Sequence, residues 1–179
     1  MQLSQRGIDF IKGFESLRLN SYQDSAGIWT IGYGHTGGVR PGQQITSAQA
    51  EALLKQDVAE AESAVNSLVA VPLTQSQFDA LVSLTFNWGA GNLAASILLK
   101  RLNAGDYEGA AQRLSEHPIT SGGRVVQGLV RRRREEAALF RSGEMPANPQ
   151  PPPASPLATK PGARPGAKIS RMIQRLFRR

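Results

Sequence analysis

Three polar residues near the start of the chain have the types and spacing for acid–base chemistry at a sugar bond. Glu15, Asp24 and Thr30 stand in the order Glu-x8-Asp-x5-Thr. Breaking a glycosidic bond with water needs one carboxylic acid to protonate the leaving oxygen. It also needs a second group to handle the water or the anomeric carbon. A glutamate at a helix end and an aspartate on a nearby strand can face each other across a cleft. A threonine hydroxyl both donates and accepts, so it can hold the attacking water. Taken singly, each residue has a plainer reading: Glu15 as a surface acid, Asp24 as a turn former before Ser25-Ala26-Gly27, and Thr30 as an ordinary strand residue.

The elements that must position these groups follow from periodicity. Leu3, Ile8, Phe10, Ile11 and Phe14 are spaced as on a helix over residues 3–13, which would end just before Glu15. From Leu17 to Gly38, Tyr, Trp, Ile and Thr alternate with Gly, Asn, Asp and Ser, the texture of two or three short antiparallel strands. After Pro41 the pattern is helical. Thr46 with Gln49 predicts a capping box, and Leu53, Leu54, Val58, Ala61, Val65 and Leu68 form one stripe over about six turns. Pro72 breaks that helix. Thr74 with Gln77 starts the next one, and Gly89 stops it. Further helices are expected around 93–102, 107–115 and 125–140, with Pro118 and Gly122-Gly123 separating the last two.

The string GFESLRLNSYQDSAGIWTIGYGHT resembles the catalytic region of the phage lysozymes, glycoside hydrolase family 24. FNWGAGN resembles that family's segment across the cleft, and GLVRRRREEAALF its closing helix, so the resemblance spans residues 3–141. It implies an α+β, lysozyme-like fold in which a small antiparallel sheet lobe and a mainly helical lobe enclose the active-site cleft. It further implies cleavage of the β-1,4 bond from N-acetylmuramic acid to N-acetylglucosamine in peptidoglycan. Glu15 would be the general acid, Asp24 the base or electrostatic partner, and Thr30 the holder of water. Inversion at the anomeric carbon needs carboxyl groups about 6.5–9.5 Å apart. No metal or cofactor is implied.

The resemblance also assigns supporting residues. His35 would be structural, paired with Asp57 between the lobes. Asn87 would be a polar cleft residue binding substrate amides, against a helix-end role. Of Arg131–Arg134, Arg131 is the expected partner of Glu15 and the others are expected in solvent, because successive helix residues point in different directions. Trp29 and Trp88 are expected to pack rather than to stack on sugar.

Charge divides the chain. Residues 1–145 hold 14 basic and 14 acidic residues, so the net +7 lies wholly in 146–179. A neutral body argues against nucleic acid as a partner. Eight of the eleven prolines fall between Pro146 and Pro165, which predicts an extended spacer over 146–166 rather than a core. In 167–179, Ile169, Met172, Ile173, Leu176 and Phe177 make an apolar stripe beside Lys168, Arg171, Arg175 and Arg178. That pattern suits an anionic membrane or lipopolysaccharide surface. The organisation expected is therefore an enzyme domain over 1–145, the spacer, and a cationic amphipathic helix, acting as a monomer. No stretch reads as a signal peptide, so synthesis in the host cytoplasm and arrival at the wall after membrane disruption is expected. Two other classes compete. A lytic transglycosylase cuts the same bond with a single acid and has no need of Asp24. A non-enzymatic envelope-binding protein would use the body as a scaffold.

Overall fold

The computed structural model describes residues 1–24, 27–116, 120–121 and 124–143. The expected spacer and the membrane-binding residues Lys168, Ile169, Arg171, Met172, Ile173, Arg175, Leu176, Phe177 and Arg178 lie outside the described residues. The elements run α1 (Gln5–Lys12), β1 (Arg18–Gln23), β2 (Trp29–Gly32), α2 (Ser47–Leu68), α3 (Gln75–Trp88), α4 (Ala90–Ala95), α5 (Ile97–Asn103), α6 (Tyr107–Glu116), β3 (Thr120–Ser121), β4 (Arg124–Val125) and α7 (Gln127–Arg141). This is an α+β fold, with a small sheet lobe beside a helical one.

Both capping boxes form. In each, the threonine side chain accepts from the backbone N–H three residues on and the glutamine reaches back to the threonine N–H, at Thr46/Gln49 and Thr74/Gln77. The α2 stripe is real, with Leu54, Val58, Ala61 and Val65 buried. Helix α3 is buried nearly all round, its polar Gln77, Asp79, Ser83, Thr85 and Asn87 included, with α1, α2, α4 and α7 packed against it. It ends at Gly89, whose φ of 100° suits a residue without Cβ.

The sheet lobe is a hairpin of β1 and β2, antiparallel, with Tyr22 opposite Thr30 and Gln23 opposite Trp29. The register shifts between Arg18 and Tyr22. A third edge is only touched on: Asn20 bridges Gln44, Ser21 N–H donates to Gln43 O (2.8 Å), and Ile45 N–H donates to Leu19 O (2.9 Å).

Two expectations need correcting. The helix expected over 93–102 is two helices, because Ser96 is extended and its Oγ accepts from Leu99 N–H, capping α5 afresh. Between α6 and α7 stands a second antiparallel pair, β3 with β4, which the Pro and Gly signals marked only as a break.

Helix α1 carries Glu15 just past its end, and it is fixed at both ends. Ser4 caps it, accepting from Gly7 N–H at 3.0 Å, while its own N–H and hydroxyl donate to the buried Asp79 of α3. Gln75 also donates to Asp79 (2.8 Å). At the far end Lys12 pairs with Glu51 of α2 at 2.9 Å. Hydrogen bonding to Lys12 holds the Glu51 carboxyl below its usual range, and the same bond raises Lys12.

Candidate active site

The chain leaves α1 through a tight turn. Gly13 N–H donates back to Asp9 O and Phe10 O, Phe14 N–H to Ile11 O, and Glu15 N–H to Lys12 O at 3.2 Å. This swings Glu15 onto α7, where Arg132 Nη1 donates to its Oε1 at 2.8 Å. The Glu15 side chain is 10% exposed and that of Arg132 4% exposed. Phe14 braces the pair: its ring meets Phe10 edge-on at 5.2 Å, and the guanidinium of Arg132 lies 5.1 Å from its centroid.

Asp24 and Thr30 are tied together through the backbone of one residue, Ile28. Asp24 Oδ1 accepts from Ile28 N–H and Asp24 N–H donates to Ile28 O, both at 2.9 Å. Thr30 Oγ1 donates to the same carbonyl at 3.0 Å. The turn closes through Gly27, at φ 76°. Thr30 is fully buried and its proton is committed to Ile28 O. What the hydroxyl has left for any further partner is its accepting side, which narrows the two-way role read from its residue type.

The arginine expected to hold Glu15 is one place out. Arg131 is 66% exposed, pairs with Glu135 at 3.4 Å, and lies 5.4 Å from the Phe14 centroid. Arg132 takes Glu15 instead, and Arg133 is buried as well rather than solvated. The cause is the face of α7. Leu129, Arg132, Arg133, Glu136, Ala137 and Phe140 share the buried stripe, spaced three and four residues apart. Counting from Leu129 would have selected Arg132 over Arg131.

Glu136, not singled out in the sequence, is the hub. It is fully buried. Its Oε1 accepts from Arg132 Nε (3.0 Å) and from Ser83 Oγ (2.7 Å), and its Oε2 accepts from Arg133 Nη1. The second Nη of Arg132 reaches Ser83 O and Oγ, each at 3.3 Å. Burial pushes the Arg132 guanidinium down, but Glu136 and Glu15 more than offset it, so the net direction is up. For Arg133, burial wins over Glu136, and the neighbouring Arg132 adds to it, so the direction is down. Both stay charged, since a guanidinium does not give up its proton in a protein.

Asn87 is 2% exposed, and its Oδ1 accepts from Arg133 Nη2, which ties it to the buried network. The signal lay in its position on α3 four residues after Ser83, on the face that meets α7. His35 and Asp57 do form the expected pair, Nδ1 to Oδ1 at 2.9 Å, joining the turn after β2 to α2. The other ring nitrogen faces Gly37 O at 2.8 Å. Trp88 packs against the core from its edge.

These elements recur in known proteins. The family model described as phage lysozyme matches residues 12–136. An endolysin of Acyrthosiphon pisum secondary endosymbiont phage 1 is 45% identical over 145 residues, covering 79% of this chain and 99% of that protein. Among solved structures, a mutant of P22 lysozyme aligns with a TM-score of 0.74 at 42% identity, over 79% of this chain and 99% of that one. The muramidase domain of SpmX from Asticaccaulis excentricus gives 0.73 at 43%, over 78% and 97%. The chain belongs to the phage lysozyme family. The matched stretch takes in Glu15, Asp24, Thr30, Arg132, Arg133 and Glu136, and stops short of the basic tail.

Proposed function

We propose that the chain is a lysozyme-type glycosidase that hydrolyses the β-1,4 bond between N-acetylmuramic acid and N-acetylglucosamine in peptidoglycan. Glu15 protonates the leaving oxygen, Asp24 acts as base or electrostatic partner for the water, and Thr30 accepts a hydrogen bond from that water, with inversion of the sugar. The observation that carries this reading is the setting of Glu15. It is nearly closed to solvent, fixed in direction by Arg132, and only three residues from the strand that leads to Asp24. A catalytic acid needs a fixed direction and a restricted approach of water.

The remaining assignments belong to the same reading. The domain covers 1–145, the spacer 146–166 leaves it free, and the helix 167–179 binds an anionic membrane or lipopolysaccharide. Each basic residue near such a surface contributes about 1 kcal/mol. The protein works as a monomer on the cell wall, made in the cytoplasm and admitted by a membrane lesion that another protein makes.

Deleting 146–179 tests both halves at once. The truncated and full chains are expected to clear isolated peptidoglycan at matching rates, because the proposed chemistry lies wholly before residue 142. The truncated chain is expected to lose most killing of intact Gram-negative cells from outside, and added salt to reproduce part of that loss by screening. Equal killing by the two would remove the tail from the account. No clearing by either would remove the enzyme.

A further inference from the structure

The cluster around Glu136 has more structure than a fold needs. Two arginines and one glutamate, with side chains 4% exposed or less, stand behind the Glu15 carboxyl, whose side chain is 10% exposed. Replacing such a group by apolar residues is often neutral or stabilising, so its presence asks for another reason. We propose that Glu136 is a positioning residue for the reaction: it holds Arg132 onto Glu15 and offsets the charge of Arg133 behind it. This inference rests on the reading of Glu15 as the general acid.

The physical difficulty it resolves is plain. A general acid must keep its proton until the leaving oxygen takes it, yet a cation at 2.8 Å favours the carboxylate. Arg132 fixes the direction of Glu15 and at the same time pulls on its proton. Glu136 takes two of the contacts of the same arginine neighbourhood, Arg132 Nε and Arg133 Nη1, and so weakens that pull. With Glu136 ionised, the buried set of Arg132, Arg133 and Glu136 carries one net positive charge. With it neutral, the set carries two.

Charged groups on the elements packed against α3 and α7 have their own partners. Arg131 of α7 pairs with Glu135, Lys12 of α1 with Glu51 of α2, Asp57 of α2 with His35, and Arg113 of α6 with Glu116. From α3 the network receives Ser83 and Asn87, neither charged. Asp24 in the hairpin is common to every variant below.

The test is the pH profile of peptidoglycan clearing by the full chain, with the Glu15 carboxyl followed in parallel by carbon-13 NMR and assigned against Glu15→Gln. Activity that needs protonated Glu15 falls on the alkaline side as that proton is lost. In Glu136→Gln, less negative charge faces the arginines, so the alkaline limb is expected about one pH unit lower. In Arg133→Gln, less positive charge remains, so the limb is expected to move up. Glu136→Asp, which keeps the charge, is expected to restore the limb to near its parent position.

A merely structural role scales activity at every pH and leaves the limb in place. Opposite shifts in the two variants, seen by clearing and by NMR, support the inference. If the Glu15 carboxyl titration moves but the limb does not, the charge coupling stands while the assignment of Glu15 as acid falls, and the positioning role with it. If neither moves, or both variants move the same way, Glu136 has no such role. Should Glu136→Gln fail to fold, Arg133→Gln decides: an upward limb supports the inference and a fixed limb overturns it.

Discussion

Glu15→Gln is expected to abolish hydrolysis while the fold persists. The amide is nearly the same shape and its carbonyl still accepts from Arg132 Nη1, which now meets Glu15 Oε1 at 2.8 Å. What it lacks is an acidic proton for the leaving oxygen. General acid catalysis contributes on the order of 10²–10⁴-fold to rate, and that is the expected loss in clearing of purified peptidoglycan. Some stability goes as well, because the buried arginines lose a negative neighbour, so circular dichroism should show the native spectrum with a lower melting point. Activity within tenfold of the parent would take the acid role away from Glu15.

The second large effect is on stability, and it separates two adjacent arginines. Arg132→Met leaves Glu15 without its guanidinium partner and removes one of the two arginines that bind Glu136. Breaking a buried ion pair by deleting one partner costs roughly 3–5 kcal/mol. Urea unfolding should show it as a lower midpoint at unchanged slope. Arg131→Met, on the neighbouring residue, removes only an exposed pair with Glu135 and a contact with the Phe14 ring. Its cost should stay under about 1 kcal/mol. Equal losses from the two would contradict the assignment of Arg132 to the buried face.

That pair of residues also shows what the sequence discloses and what it hides. Local signals were legible because their causes are local. Thr46 with Gln49 and Thr74 with Gln77 satisfy orphan N–H groups within one turn, and Gly89 ends α3 where a left-handed backbone is required. Ser96 carried a cap signal of the same kind inside an apolar run, and the run concealed it. The polar residues that pack against one another from different helices were harder. Glu136 and Ser83 are 53 positions apart, and nothing in either neighbourhood announces that they meet in the core. Burial inverts the usual expectation for a run of four arginines, and only the helical phase set by Leu129 and Phe140 betrays it. The burial of Asn87 was hidden for a related reason. Its place near the cleft segment suggested an open polar group, whereas Arg133 comes in from α7 and takes its oxygen. Type and spacing singled out Thr30 as a candidate, yet the direction of its hydroxyl became visible only with the turn through Ile28 folded.

The central claim is that Glu15 acts with a second group on water, and the identity of the product tests it most directly. Purified peptidoglycan digested in oxygen-18 water should yield muropeptides ending in a reducing N-acetylmuramic acid that carries one solvent oxygen, read by mass spectrometry. An anhydro-muramic end without solvent oxygen would mean that the sugar's own hydroxyl closed the ring, and the roles given to Asp24 and Thr30 would be wrong.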